Sequence, residues 1–333
     1  MIFVLACIAS KHTIDTSAPL TSEPSEQHDT SNQEPSFETD LDGDGFPSWA
    51  DSPEQAIADC DDTDDSITPN SVRWIPSGPF TRGDTEQIEA SPARQITLSG
   101  YCMDRMEVSN QQFADFLDHL RQSGLENQLD DGRPLYDFED SDDPFPPTIA
   151  QHSDGHYYAV SGYEDHPVTE VWQWAARAFC QWKGGDLPTE AQWEKGARGS
   201  GTRAYPWGDE PPTCELANFG TLEESCYGGT LPSGSLPEGS SPYGLLDVAG
   251  NVSEWVLDWF STDYYSTSED VDPAGPPQPE EFTDQQGNIR TPIVARSGNH
   301  STGPGNMQVF FRQAEPHDAT SNGLGFRCAY PIE

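Results

Sequence analysis

The sequence predicts a loop-rich domain in which a few short helices come first and short strands and turns follow. Three observations predict it. Glycine and proline supply 29 residues each and the mean hydropathy is -0.70, so there is little material for long regular elements. Aromatic residues still make up 11% of the chain, with 9 tryptophans, so a real core is available. Apolar residues recur at helical spacing only before residue 200; beyond it the chain is short apolar runs between Gly and Pro.

The chain opens on Met1-Ile-Phe-Val-Leu-Ala-Cys7, short and apolar and ending like a bacterial lipobox, which makes Cys7 a candidate for lipidation. The basic start and the apolar stretch of roughly 7–15 residues that mark a secretory signal are missing or truncated, so residues 1–7 read as a shortened lipoprotein-type signal. Residues 8–37 are rich in Ser, Thr, Glu, Gln and Pro and nearly free of large apolar side chains. Such a stretch cannot offset its ordering entropy and reads as a tether. An acidic block, 38–71, and then a main domain, 72–333, complete the expected organisation.

Within the acidic block, Asp40, Asp42 and Asp44 sit at positions 1, 3 and 5 of a twelve-position loop. Gly45 falls where such a loop turns sharply, Phe46 offers a carbonyl at position 7, and Asp51 closes the loop at 12. Calcium needs six to eight hard oxygens, and this spacing supplies them. A second cluster, Asp59-Cys-Asp-Asp-Thr-Asp-Asp65, follows. The block resembles the Asp-Gly-Asp-Gly repeats of bacterial surface proteins, which implies calcium and a stiff spacer.

Three helices are expected in the main domain. Ser109 caps the first, with Gln112 at the capping-box position and Phe113, Phe116, Leu117 and Leu120 at helical spacing. The second covers roughly 171–182, with Ala175, Phe179 and Trp182 on one stripe. Thr189 opens the third, with Gln192 completing the box and Trp193 and Ala197 inward. The acidic, proline-containing stretches 137–147 and 269–281 read as surface insertions.

Charge excludes one class of partner. With 57 acidic against 16 basic residues the net charge is -41, which repels phosphate backbones, so nucleic acid is not expected. No apolar run approaches the ~18 residues that span a bilayer, so membrane contact would come only through a lipid anchor. Seven cysteines include no C-x-x-C pair, and six remain when Cys7 is set aside; together with the acidity this points to an oxidising, extracytoplasmic compartment, a bacterial cell envelope or the exterior.

A set of motifs then recurs in a known order: Glu107-Val-Ser-Asn110, His166-Pro-Val168, Leu187-Pro-Thr-Glu-Ala-Gln-Trp-Glu-Lys-Gly-Ala-Arg-Gly199, Tyr205-Pro-Trp-Gly-Asp209, Ala217-Asn-Phe219, Tyr243-Gly-Leu-Leu-Asp-Val-Ala-Gly-Asn-Val-Ser-Glu-Trp255 and Gly325-Phe-Arg-Cys328. They resemble the formylglycine-generating enzyme (sulfatase-modifying factor) family over about residues 72–331. The resemblance implies an α+β fold with little regular structure, related to C-type lectins and pinned by calcium. It implies one ion at Asn218 and the carbonyl of Phe219, whose downstream acidic ligand segment is not recognisable here. It implies a second ion at Glu254 with the carbonyls of Ala249, Gly250 and Val252. It also implies a Cys180–Cys328 disulfide. Cys214–Cys226 would close a short loop, and Cys60–Cys102 is left by elimination.

Family members that make formylglycine hold Cu(I) between two cysteines five residues apart, because soft thiolates suit that ion. The corresponding stretch here, 295–312, contains no cysteine; Thr302 and Met307 fall near the two positions. Copper is therefore not expected, and the chain reads as a calcium-stabilised module that binds an extracellular peptide, glycan or envelope protein. The alternatives are a formylglycine-type or other oxidase with a different arrangement, and a purely structural envelope protein. His300 lies near the same site as a candidate ligand or acid/base, although a hydrogen-bonded loop histidine is the plainer reading. His152-x-x-x-His156 has metal-like spacing, for which a solvated loop is again plainer.

Overall fold

The computed structural model describes residue 60 and residues 71–138, 146–221, 225–283 and 287–332. Cys7, the expected tether, and Asp40, Asp42, Asp44, Phe46 and Asp51 lie outside them. In chain order the regular elements are β1 (Val72–Ile75), β2 (Gly78–Arg82), β3 (Arg94–Leu98), β4 (Tyr101–Asp104), α1 (Asn110–Gln122), β5 (Ile149–Gln151), β6 (Tyr157–Ala159), α2 (Gln173–Trp182), α3 (Glu190–Arg198), β7 (Ser253–Trp259), α4 (Tyr264–Thr267), β8 (Phe282–Thr283), β9 (Ile289–Arg290), β10 (Pro292–Arg296), β11 (Gln313–Pro316), β12 (Leu324–Gly325) and β13 (Ala329–Tyr330). Few helices, short strands and long connections make this the expected loop-rich α+β fold.

Two small sheets organise it. One has the order β1-β4-β13 and the other β11-β10-β7-β12; β2-β3, β5-β6 and β8-β9 are separate hairpins. β7 is the central strand, and alternation along it feeds two cores. Trp255 joins Phe113, Phe116, Phe179, Tyr136 and Phe326 beneath α1 and α2. Val256 joins Trp193, Phe80, Tyr265, Val294 and Phe310 beneath α3. Both faces of β7 are covered, which is why 253–259 lacks the polar alternation of a surface strand.

The helix starts follow local chemistry. Ser109 and Thr189 each cap a helix through a reciprocal box with Gln112 and Gln192, as their spacing predicts. The second helix starts two residues later than expected. Val171 is drawn into a bridge with Tyr136, and Trp172 is extended, so the first helical residue is Gln173. Trp182, expected inward, is 40% exposed, although its ring still rests on Phe116 and Phe179.

Three disulfides staple the loops: Cys60–Cys102, Cys180–Cys328 and Cys214–Cys226. The second ties α2 to the segment entering β13 across 148 residues. No helix among the described residues is long and apolar enough to cross a membrane.

Candidate functional site

The long segment between β10 and β11 is the centre of the site, and buried charges fix both of its ends. Arg296, at its start, donates to Glu190 Oε1 at 2.8 Å and to Glu194 Oε2 at 3.0 Å. Arg312, at its end, grips the same Glu190 with two bonds of 2.6 and 2.9 Å. Glu190 and Glu194 lie one turn apart on α3, and Glu194 also takes Tyr265 Oη at 2.8 Å and Arg198 at 3.0 Å. All these side chains are buried. Burial works to raise the Glu190 carboxyl, but Arg312 and Arg296 outweigh it and hold that carboxyl below its ordinary value. Such a group makes a frame rather than a reaction centre, because every charge already has a partner.

A second buried group lies under the turn before β7. Glu254 accepts from Arg327 on both oxygens, at 2.7 Å each, and from the Trp193 indole at 2.7 Å. Asn251 donates to Glu107 at 2.8 Å and accepts from Asn218 Nδ2 at 3.1 Å. Gly250 has φ +88°, and a Cβ there would meet the Asn218 carbonyl oxygen at 2.3 Å, so only glycine fits.

The two expected calcium sets therefore differ. At the set expected around Glu254, Ala249, Gly250 and Val252, the carboxylate pairs with Arg327 and the Gly250 carbonyl accepts from Ser297 Oγ at 3.2 Å, which leaves it fewer free lone pairs. Asn218 fits better: its Oδ1 is buried without a hydrogen-bond partner, and its Nδ2 is fixed by Gly229 and Asn251 so that the oxygen cannot turn away. The neighbouring Phe219 carbonyl already accepts from Cys226 N at 2.9 Å and keeps one lone pair.

Between the anchored ends, the β10–β11 segment forms one wall of a cleft of about 360 Å³. His300 faces it, with Tyr163, His166, Glu170, Tyr227 and Thr230 opposite and beside it. His300 is buried and donates its backbone N–H to the Asn251 carbonyl at 3.0 Å, which ties the cleft to the turn below β7. His166 Nδ1 is 2.9 Å from the Thr230 hydroxyl, and burial keeps the imidazole below its ordinary pKa, hence neutral at pH 7. Glu170 holds a left-handed backbone, φ 59°, at the cleft wall. Tyr163 and Tyr227 are 40% and 47% exposed and offer ring surface at the mouth.

Thr302 and Met307 do not face that cleft. The Thr302 hydroxyl closes a local turn, accepting from Asn299 N at 2.8 Å and donating to Asn299 O at 3.0 Å. Met307 is fully buried against Ala217 and Ala249, with Tyr205, Trp207 and Phe219 around them. His152 and His156 sit in a surface hairpin, stacked on each other, with His152 also on Tyr158 and His156 paired to Asp118. No group of three metal-ligating side chains occurs among the described residues.

Comparison with known proteins agrees with this architecture. A family model described as a sulfatase-modifying factor enzyme 1-like domain matches residues 60–332. The chain belongs to that family. The formylglycine-generating enzyme of Thermomonospora curvata is 31% identical over 293 residues, covering 77% of this chain and 91% of the relative. Two solved structures share the fold. PvdO from Pseudomonas aeruginosa has a TM-score of 0.56 at 22% identity, covering 78% of this chain and 93% of that one. Treponema denticola variable protein 1 has a TM-score of 0.53 at 19%, covering 78% and 94%.

Within this sulfatase-modifying-factor domain, sequence reasoning located one wall of the cleft and missed the other. His166 stood out only as part of a motif, and Tyr163, Glu170, Tyr227 and Thr230 were not singled out. One signal was present for Tyr227: it follows Cys226, so the short Cys214–Cys226 bridge holds it in place, and its hydroxyl donates to the Cys214 carbonyl at 2.7 Å.

Proposed function

We propose that this sulfatase-modifying-factor domain is an extracytoplasmic, calcium-stabilised binding module whose cleft beside His300 takes a peptide or glycan, and that it does not oxidise cysteine by the copper route. The observation that carries the reading is where the sulfur lies. The segment between Arg296 and Arg312 contains no cysteine, and the six cysteines from 60 to 328 are all bridged. The soft donor nearest the expected position, the Met307 thioether, is buried in an apolar cluster. Cu(I) chemistry of this kind needs two thiolates beside an open substrate groove. The cleft beside His300 supplies a groove whose lining includes no cysteine, which supports binding over copper oxidation.

The rest of the cleft suits recognition. Exposed tyrosines supply flat, amphipathic contact, and His166, His300 and the hydroxyls supply directional hydrogen bonds. The disulfides favour an oxidising compartment. Calcium at Asn218 would complete a buried oxygen that otherwise has no partner.

Metal analysis of the purified full chain, with copper, iron and calcium measured together, tests the proposal. Retained calcium with copper and iron well below one equivalent is expected, together with a melting temperature that falls on chelation. Stoichiometric copper or iron would overturn it.

A further inference from the structure

A second cleft lies away from His300, of about 410 Å³, between β1 and the turn at Ser241–Gly244. Its walls are the rings of Trp74, Pro76, Pro242 and Tyr243, and its charged member is Arg73. Arg105 N bonds to Ser71 O, opposite it in the β1–β4 pair, so Arg105 and Arg73 share one face of the two strands as diagonal neighbours. Arg203, which donates to the Pro206 carbonyl at 3.2 Å, is the charge that opposes the rise burial imposes on the Tyr243 hydroxyl.

The grouping is unusual for this chain. Acidic residues outnumber basic ones 57 to 16, and nine of the thirteen arginines pair with a carboxylate. Among the described residues the arginines in no ion pair are Arg73, Arg82, Arg105 and Arg203. Arg82 is fully buried against Ser268 and Tyr265. Of the other three, Arg73 lines this cleft, Arg105 is its diagonal neighbour across the strand pair, and Arg203 lies close enough to act on the Tyr243 hydroxyl. Burial, and then the Arg105 charge, lower Arg73 to about 10, as expected where cations crowd without an anion. The Arg105 Nε is buried and has no hydrogen-bond partner. Among the described residues Arg73 donates to the neighbouring Val72 carbonyl, at 3.1 Å, and to no other acceptor. Space for its guanidinium comes from Gly244, where φ is +79° and a Cβ would stand 3.0 Å from Arg73 Nε.

We propose that this cleft binds an organic oxyanion carried on an apolar ring. The Arg73 guanidinium would meet the oxyanion, Arg105 and Arg203 would add charge, and Trp74 and Tyr243 would enclose the ring. Guanidinium donors match carboxylate, sulfate and phosphate alike, and an ion pair in a partly enclosed site is stronger than one in bulk water. The site is separate from the His300 cleft and stands whatever becomes of the function proposed there.

Isothermal titration of the full chain with phenyl phosphate, phenyl sulfate and benzoate, beside phenol and inorganic phosphate, tests it. At least one aryl oxyanion should bind, with phenol and inorganic phosphate about tenfold weaker or worse, and binding should weaken as sodium chloride is raised. Which aryl anion binds best identifies the head group. Arg73→Gln should lose about tenfold or more while Arg73→Lys loses less. Should Arg73→Gln fail to fold, Arg203→Gln, on a surface loop, should still weaken binding severalfold. No heat from any aryl oxyanion at millimolar concentration, equal binding of phenol, or unchanged affinity in a folded Arg73→Gln protein would overturn the proposal.

Discussion

The ends and the middle of the β10–β11 segment are built on opposite principles. At the ends, Arg296 and Arg312 converge on one carboxylate, Glu190, inside a buried frame where each charge has a partner. In the middle, His300 faces a cleft lined by imidazole and hydroxyl groups and by half-exposed tyrosine rings. The ends specify where the loop leaves and returns; the middle is left to specify what it meets. A fold with so little regular structure needs the first to have the second, because strands of two to seven residues cannot hold a long loop by hydrogen-bond ladders alone.

The largest expected effect comes from breaking the frame. Glu190→Gln leaves two buried guanidiniums short of their shared partner and should cost about 3–5 kcal/mol in urea denaturation. Binding in the His300 cleft should fall with it, because both ends of the loop are released. Replacing Cys214 and Cys226 together by serine comes next, at about 3 kcal/mol for so short a loop. It should act on the cleft through Tyr227 while leaving the Glu190 frame in place. Equal loss of stability in the two variants would blur the distinction between frame and cleft.

The frame also carries a pH signature. Asp258, which accepts from Glu190 N at 2.8 Å, is raised from its ordinary 3.8 to about 7, by burial first and then by the Glu190 charge. The folded state thus holds a proton that the unfolded chain gives up near pH 4. This contribution favours the folded state fully below that pH and is lost as pH rises through about 7. Asp258→Asn should therefore flatten the decline, gaining stability relative to the parent between pH 5 and pH 8 by urea denaturation at both. A difference that does not change with pH would count against a protonated Asp258.

The smallest effect on stability is expected at the middle of the segment. His300→Ala keeps the backbone hydrogen bond to Asn251 but removes a buried ring and its Nε2 contact with the Asn322 carbonyl at 3.4 Å, so it should cost about 1–2 kcal/mol, less than either variant above. Ligand binding in the cleft should be lost. A large loss of stability would move His300 into the frame.

What could be read in advance follows the same division. Caps are local, so Ser109 with Gln112 and Thr189 with Gln192 marked two helix starts directly. The start of α2 was not legible, because Val171 is recruited by Tyr136, which lies far back in the sequence. The motif around Glu254 was easy to see, yet its ion pair with Arg327, 73 residues away, was not legible from the motif itself. The cleft was the least legible part. Its walls come from segments near 163–170, 227–230, 300 and 322, and no spacing in the sequence joins them.

The central claim is that this domain keeps its family's groove but not the chemistry of its copper cysteines. The direct measurement is mass spectrometry of a Cys-x-Pro-x-Arg peptide after incubation with the full chain, copper, a reductant and oxygen. The account predicts an intact thiol, with no formylglycine above a metal-free control. Copper-dependent conversion of that cysteine would contradict it.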